Sequence, residues 1–161
     1  MNEMNAITGE TFRQVLGHLP TGVTVITADT RDGRAGMTAN SVTSVSLEPP
    51  LILFCPAKSS ATWPLIRDAG RFCVNVMASH HQELTRAFAR KGVDRFAGVE
   101  VVERAAGPAL SDAVAWLDCD LYDEHDAGDH TVVLARVLEL EAQSDRSPLV
   151  FFQGRYGTFG G

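Results

Sequence analysis

The chain has 161 residues, 45% of them hydrophobic, with no break in composition, which is enough for one domain over residues 1–161 with a substantial core and too little for two. A formal net charge of −6 excludes a sequence-independent grip on nucleic acid, which needs an electropositive face, so any anionic ligand must be held by local groups. The opening MNEMNAITGE has neither a basic nor an apolar signal region and no run nears the roughly 18 apolar residues of a membrane span, so a cytoplasmic protein with no membrane contact is expected.

From Thr8 to Leu19, Phe12, Val15, Leu16 and Leu19 recur at helical spacing before Pro20 and Gly22, which predicts an amphipathic helix packed on the rest of the chain. Gly22 to Thr30 is β-branched and roughly alternating, and Asp32-Gly33 turns it into a second strand. Two more strand-like runs follow, Gly36 to Ser46 and Leu51 to Cys55, separated by Pro49 and Pro50, which cannot donate to a ladder. Ser60 to Gly70 reads as a short helix with Thr62 as N-cap and Gly70 at its end. Phe72 to Met77 returns as a strand with Asn75 its lone polar residue. Ser79 to Lys91 reads as a helix opened by a Ser79–Gln82 capping box, with Leu84, Ala87 and Phe88 on one face. After a loop at Asp94 to Gly98 and a short strand at Val99 to Glu103, Ala115 to His125 and His130 to Glu141 alternate on either side of a turn at residues 126–129. A last strand spans Leu149 to Gln153. Antiparallel strands with short helices interposed predict a mainly β barrel, not a doubly wound parallel sheet.

Cys55, Cys73 and Cys119 are odd in number and far apart, which suits buried thiols better than disulfides, and no His/Cys spacing suggests a metal site. His80 and His81 read as exposed at a helix start, and His18 as a favourable charge at a helix end. Neither a Gly-x-Ser-x-Gly elbow nor a Gly-x-Gly-x-x-Gly fingerprint occurs. The unusual stretch is Gly36 to Lys58, where Thr38, Asn40, Ser41, Thr43 and Ser44 place hydroxyls and an amide among apolar strands. Such groups need polar partners when buried, and a flat polar ligand would supply them; the competing reading is an edge strand facing water, disfavoured by the apolar strands beside it.

Six segments, Thr21 to Thr27, Gly36 to Leu51, Lys58-Ser59-Ser60, Gly70 to Val76, Arg95-Phe96-Ala97-Gly98 and His125 to His130, occur in the order seen in the short-chain flavin reductases, the small components of two-component flavin-dependent monooxygenases. The chain resembles that family from about Phe12 to Tyr156. The resemblance implies an FMN-binding split β-barrel of Greek-key, antiparallel type and a homodimer. It also implies hydride transfer from NADH or NADPH to FMN or FAD, with the reduced flavin passed to a monooxygenase partner. Carried over residue by residue, it places Gly36, Met37, Thr38, Asn40, Ser41, Cys55, Ala57, Lys58, Ser59, Ser60, Thr62 and Phe88 along the flavin. Gly36 would let the strand approach the ring, and Lys58 to Ser60 at a helix start would receive the phosphate. His130 would face the nicotinamide as the catalytic-side residue, while His125 and Asp129 would hold its turn. Arg155 and Tyr156 would touch either ligand or simply end a strand. A non-enzymatic flavin carrier of the same fold is the alternative reading, and a pure interaction protein a third.

Overall fold

The computed structural model describes residues 6–160. Its elements are α1 (Gly9–Leu16), β1 (Thr21–Gly22), β2 (Thr24–Thr30), β3 (Gly33–Ala39), β4 (Thr43–Leu47), β5 (Pro50–Phe54), α2 (Trp63–Ala69), β6 (Arg71–Val76) and α3 (Gln82–Ala87). They continue as β7 (Val101–Arg104), β8 (Gly107–Leu110), β9 (Ala115–Ala127), β10 (His130–Ala142), β11 (Leu149–Phe152) and β12 (Arg155–Thr158). No described helix is long and apolar enough to cross a membrane.

Seven strands form one antiparallel sheet in the order β3-β2-β6-β9-β10-β5-β4, and its two edges are consecutive in the chain, joined only by Asn40-Ser41-Val42. The sheet therefore curls into a mainly β split barrel, as expected, with the split between β3 and β4. Ser41 ties the crossover down, its Oγ accepting the Cys55 backbone N–H at 2.8 Å. The predicted single strand Gly36 to Ser46 is thus two strands, and both lie at sheet edges despite their apolar neighbours. The edge at β3 is covered: the Thr38 hydroxyl donates to the Thr85 carbonyl of α3 at 2.9 Å. Thr43 and Ser44 on β4 do face solvent.

The barrel interior is filled by Ile26, Met37, Ile52, Phe54, Phe72, Val74 and Val133 from the strands together with Trp63 and Ile66 of α2. Phe54, Trp63 and Phe72 meet edge to face, with centroids 5.4 to 5.9 Å apart, so α2 is held as a plug by aromatic packing. Val23, Val25, Met77, Phe88, Leu110 and Leu149 form a second cluster on the outer face of β2 and β6, which explains why β2 is apolar on both sides. Asn75, wholly buried, answers its polarity by donating to the Val25 carbonyl (2.8 Å) and Thr27 Oγ1 (3.0 Å) and accepting the Leu110 N–H (2.7 Å), thereby pinning β8 to the sheet.

Several local expectations change. Helix α1 is capped by Thr8, whose hydroxyl accepts the Thr11 N–H, but it buries no residue, and Phe12, Val15, Leu16 and Leu19 are 46 to 62% exposed. His18 does meet the carbonyls of Gln14 and Val15 at the helix end. The Ser79–Gln82 box is absent: α3 begins after His81, which is 6% exposed and accepts the Ala78 N–H at Nδ1. Burial, and then the neighbouring His80, push the His81 pKa down to about 4. Cys73 and Cys119 are buried free thiols, Cys55 a half-buried one. Strands β8 and β12 were not foreseen; the β11–β12 turn puts Gln153 and Gly154 both at positive φ, the signature of a tight hairpin. The Greek-key order of the strands has long-range partners, such as β6 with β9, that no local pattern announces.

Candidate functional site

Three segments distant in sequence bound one cleft of about 600 Å³: β3 from Arg34 to Thr38, the β5–α2 connection from Ala57 to Thr62, and the α3–β7 connection from Phe88 to Phe96. That volume lies in the range of small-molecule sites. Gly92 and Gly98, at φ of +74° and +72°, allow the α3–β7 connection to turn back over β3. Phe88 and Phe96 stack edge to face at 5.0 Å, and a Cβ on Gly36 would stand 2.5 Å from the Phe88 ring. The close approach that Gly36 permits is therefore made by Phe88, which is fully buried, and not by open space for a ligand.

The α3–β7 connection is fastened by Arg95. Its Nε donates to the Arg90 carbonyl (2.7 Å), and Nη1 donates to the Gly36 carbonyl (2.7 Å) and to Thr62 Oγ1 (3.3 Å). Burial draws the Arg95 pKa below the ordinary arginine value. On the opposite wall Ser60, not Thr62, caps α2: Ser60 Oγ accepts the backbone N–H groups of Thr62 and Trp63 at 3.2 and 3.1 Å. Thr62 already has helical backbone angles, φ −87° and ψ −41°, and its side chain makes no cap bond. Asn40, one residue past the end of β3, has its Oδ1 shut off from solvent with no hydrogen-bond donor among the described residues. Such an acceptor calls for a donor from outside the chain, a water or a ligand N–H.

Of the residues expected along a flavin, Gly36, Met37, Thr38, Ala57, Ser59, Ser60, Thr62 and Phe88 line this cleft. Asn40, Ser41 and Cys55 sit beside it at the barrel split, where Ser41 holds the Cys55 backbone and burial pushes the Cys55 thiol pKa up. Lys58 does not line it: its ammonium pairs with Asp126 of the β9–β10 hairpin, and its backbone N–H donates to the Asp129 carbonyl at 2.9 Å. Thr38 has its hydroxyl spent on α3, so it offers the cleft its methyl group and backbone. Arg155 and Tyr156 border a separate hollow with Pro20 and Phe152, and the Tyr156 ring is engaged by Phe151 and by the Arg86 guanidinium 5.3 Å above it. Trp63 is a core residue whose indole N–H reaches Glu124 at 3.2 Å.

His130 opens β10 at the rim. Its backbone bridges Ala57, and Asp129 Oδ1 lies 2.7 Å from its Nδ1 while the ring stays about half exposed. The hydrogen bond from His130 holds the Asp129 carboxyl below its usual range. Asp129 thus steadies the turn residue as expected, whereas His125 faces Asp123 at 3.3 Å and takes no part in the turn. Sequence reasoning missed Arg95, Phe96, Lys91 and Asp94 as cleft residues. Arg95 and Phe96 were visible as the Arg-Phe-Ala-Gly segment, but nothing local shows that the connection folds over β3.

Residues 16–160 match the model of the flavin reductase like domain. A flavin reductase of Pseudomonas putida is 45% identical over 157 residues, spanning 96% of this chain and 92% of that one. A reductase subunit of a flavin-dependent monooxygenase from Rhodococcus jostii is 42% identical, over 94% of this chain and 78% of that one. Among solved structures, the NADH:FAD oxidoreductase of Streptomyces globisporus in complex with NAD and FAD fragments superposes with a TM-score of 0.89 at 34% identity, covering 98% of each chain.

Proposed function

The chain belongs to the flavin reductase like domain family, and from that premise we propose that it is an NAD(P)H-dependent flavin reductase, an oxidoreductase that moves hydride from NADH or NADPH to FMN or FAD. The reduced flavin then serves a monooxygenase component, as it does for the relatives named as reductase subunits. The observation that carries this reading is the cleft, which gathers residues from three separate segments around open space suited to a planar polar ligand.

Bound flavin supplies the hydride acceptor, and the chain supplies everything that positions it. Backbone groups of β3 and the small residues Ala57 and Ser59 let a ring lie close to the main chain, and the orphan Oδ1 of Asn40 offers an acceptor to a ring N–H. Ser60 Oγ already accepts two N–H groups, so its own proton is free to be donated. His130, met at Nδ1 by Asp129 and half exposed at the rim, would hold the nicotinamide and could supply a proton to the bound flavin. A homodimer completes the proposal. Phe12, Val15, Leu16, Leu19 and Phe152 leave apolar surface in the open that a second copy would cover, and sedimentation at twice the 17.4 kDa monomer mass checks it.

The experiment is absorbance at 340 nm with NADH, repeated with FMN, with FAD and with neither. Oxidation that depends on added flavin is expected, falling at least tenfold for His130→Ala. No oxidation with either flavin, and none with NADPH, would overturn the reading.

A further inference from the structure

We infer that Arg95, and not Lys58, is the cation that receives the phosphate of the flavin; the inference rests on the flavin-reductase reading and adds to it the residue that tells a phosphorylated flavin from a bare one. The two cations differ in what already holds them. Lys58 does not line the cleft and is paired with Asp126. Arg95 lines the cleft, and each of its partners is neutral: the carbonyls of Arg90 and Gly36 and the hydroxyl of Thr62. Among the described residues no carboxylate comes within salt-bridge distance of it, whereas Arg34, the other arginine lining the cleft, pairs with Glu103.

The acids nearby are committed elsewhere. Asp94 Oδ1 accepts the Phe96 N–H at 3.0 Å, and Glu103 pairs with Arg34. A partly buried guanidinium with no counter-charge is costly, which is the sense in which its pKa is drawn down by burial. The three hydrogen bonds occupy Nε and Nη1, and Nη2 has no partner among the described residues. The two N–H groups of Nη2 are therefore left to donate to phosphate oxygens. Donors converge with it. Thr62 Oγ1 accepts from Arg95 and so has its own proton to give, Ser59 and Ser60 stand on the wall of Thr62, and Lys91 belongs to the same connection as Arg95. The ligand chemistry is a phosphate monoester or the first phosphate of a dinucleotide, which both FMN and FAD present.

The test titrates the full-length protein with FMN and with riboflavin, which carries the same ring and no phosphate, following quenching of flavin fluorescence. Wild type should prefer FMN. Arg95→Gln should weaken FMN by about 10- to 100-fold, the worth of a charge-assisted hydrogen-bonded pair, and change riboflavin less than twofold. Arg95→Lys should recover part of the loss, and Lys58→Gln should keep the preference. In wild type, inorganic phosphate should compete with FMN and not with riboflavin, a result that needs no variant to fold. Equal weakening of both flavins in Arg95→Gln would reduce the residue to a clamp for its loop and overturn the inference. Loss of preference in Lys58→Gln but not in Arg95→Gln would overturn it in favour of the lysine, and a wild type that binds both flavins equally would overturn it outright. Binding of neither flavin, with no flavin-dependent NADH oxidation, would instead bring down the reading beneath it.

Discussion

Arg104 and Arg95 are both partly buried arginines that fasten a connection to the barrel, and their surroundings are opposite. Arg104 gives Nε and Nη2 to Asp118 Oδ2 at 2.9 and 2.8 Å and Nη1 to Glu141 at 2.9 Å, and it lies 5.2 Å over the Trp116 ring. Asp118 is wholly buried and also accepts the Ala106 N–H. Each charge of this cluster is answered within the chain. On the cleft side, Arg95 is held by carbonyls and a hydroxyl, Asn40 Oδ1 has no donor among the described residues, and the lining carries Arg34, Lys91 and Arg95 against Asp94 alone. The difference separates an arginine that maintains the fold from one kept ready for a ligand: satisfied charge marks the first, unsatisfied charge the second.

The largest effect should come from breaking the satisfied side. Asp118→Ala leaves Arg104 with one exposed carboxylate and a buried cavity at Asp118, and removal of one member of a buried pair costs roughly 3 to 5 kcal/mol. Urea unfolding should show that loss while FMN affinity stays within twofold of wild type. A cost under about 1 kcal/mol would dissolve the contrast, because the pair would then contribute no more than a surface ion pair.

A second effect, also on the satisfied side, is a dependence on pH. His81 is buried neutral, faced by His80, by Asp112 and by the Arg146 that Asp112 binds at 2.9 Å. Its folded pKa of about 4 lies below its unfolded value of 6.5, so the unfolded chain takes up a proton first as pH falls. The contribution is complete above about pH 6.5 and drains away toward pH 4, with roughly 2 kcal/mol gone at pH 5. Urea midpoints at pH 7 and pH 5 measure it, and His81→Gln should flatten that limb. An equally steep limb in the variant would assign the dependence to other groups.

The contrast also explains what could be read from the sequence. Strand alternation in 115–125 and 130–141 exposed the long β9–β10 hairpin, because each strand has one face against the interior and one against solvent. The cleft segments at 36–38 and 57–62 stood out because small and hydroxylated residues have no packing reason to be there. Charge pairing was not legible. Lys58 looks free beside two serines, yet its counter-ion Asp126 lies 68 residues away, and Arg95 looks like any loop arginine until its neighbours prove to be carbonyls. Strand β8, Gly107–Leu110, lacks alternation and is held by Asn75, 35 residues distant from Leu110. The apolar stripe of α1 was read correctly as a stripe, but periodicity says that a face is apolar and not whether it is covered by the same chain.

A smaller effect on stability than that of Asp118→Ala should come from the cleft side, at Gly36. Its backbone is not in the left-handed region, so alanine there brings no conformational strain; the problem is room. The added Cβ would stand 2.5 and 2.7 Å from two atoms of the Phe88 ring and 3.4 Å from Phe96. Phe88 is fully buried against Val25, Leu110 and Leu149 and cannot swing aside, so the ring and the connection following α3 must be pushed outward together. Overpacking of this kind costs about 1 to 3 kcal/mol. The displaced connection carries Arg95, whose Nη1 bonds the Gly36 carbonyl itself, so FMN affinity should fall by more than the loss of stability alone would suggest. Gly36→Ala should thus reverse the pattern of Asp118→Ala, with a smaller shift in the urea midpoint and a larger loss of flavin binding. If the two variants instead showed the same ratio of stability lost to affinity lost, the cleft and the closed side would be one cooperative unit, and the division between them would have no energetic meaning.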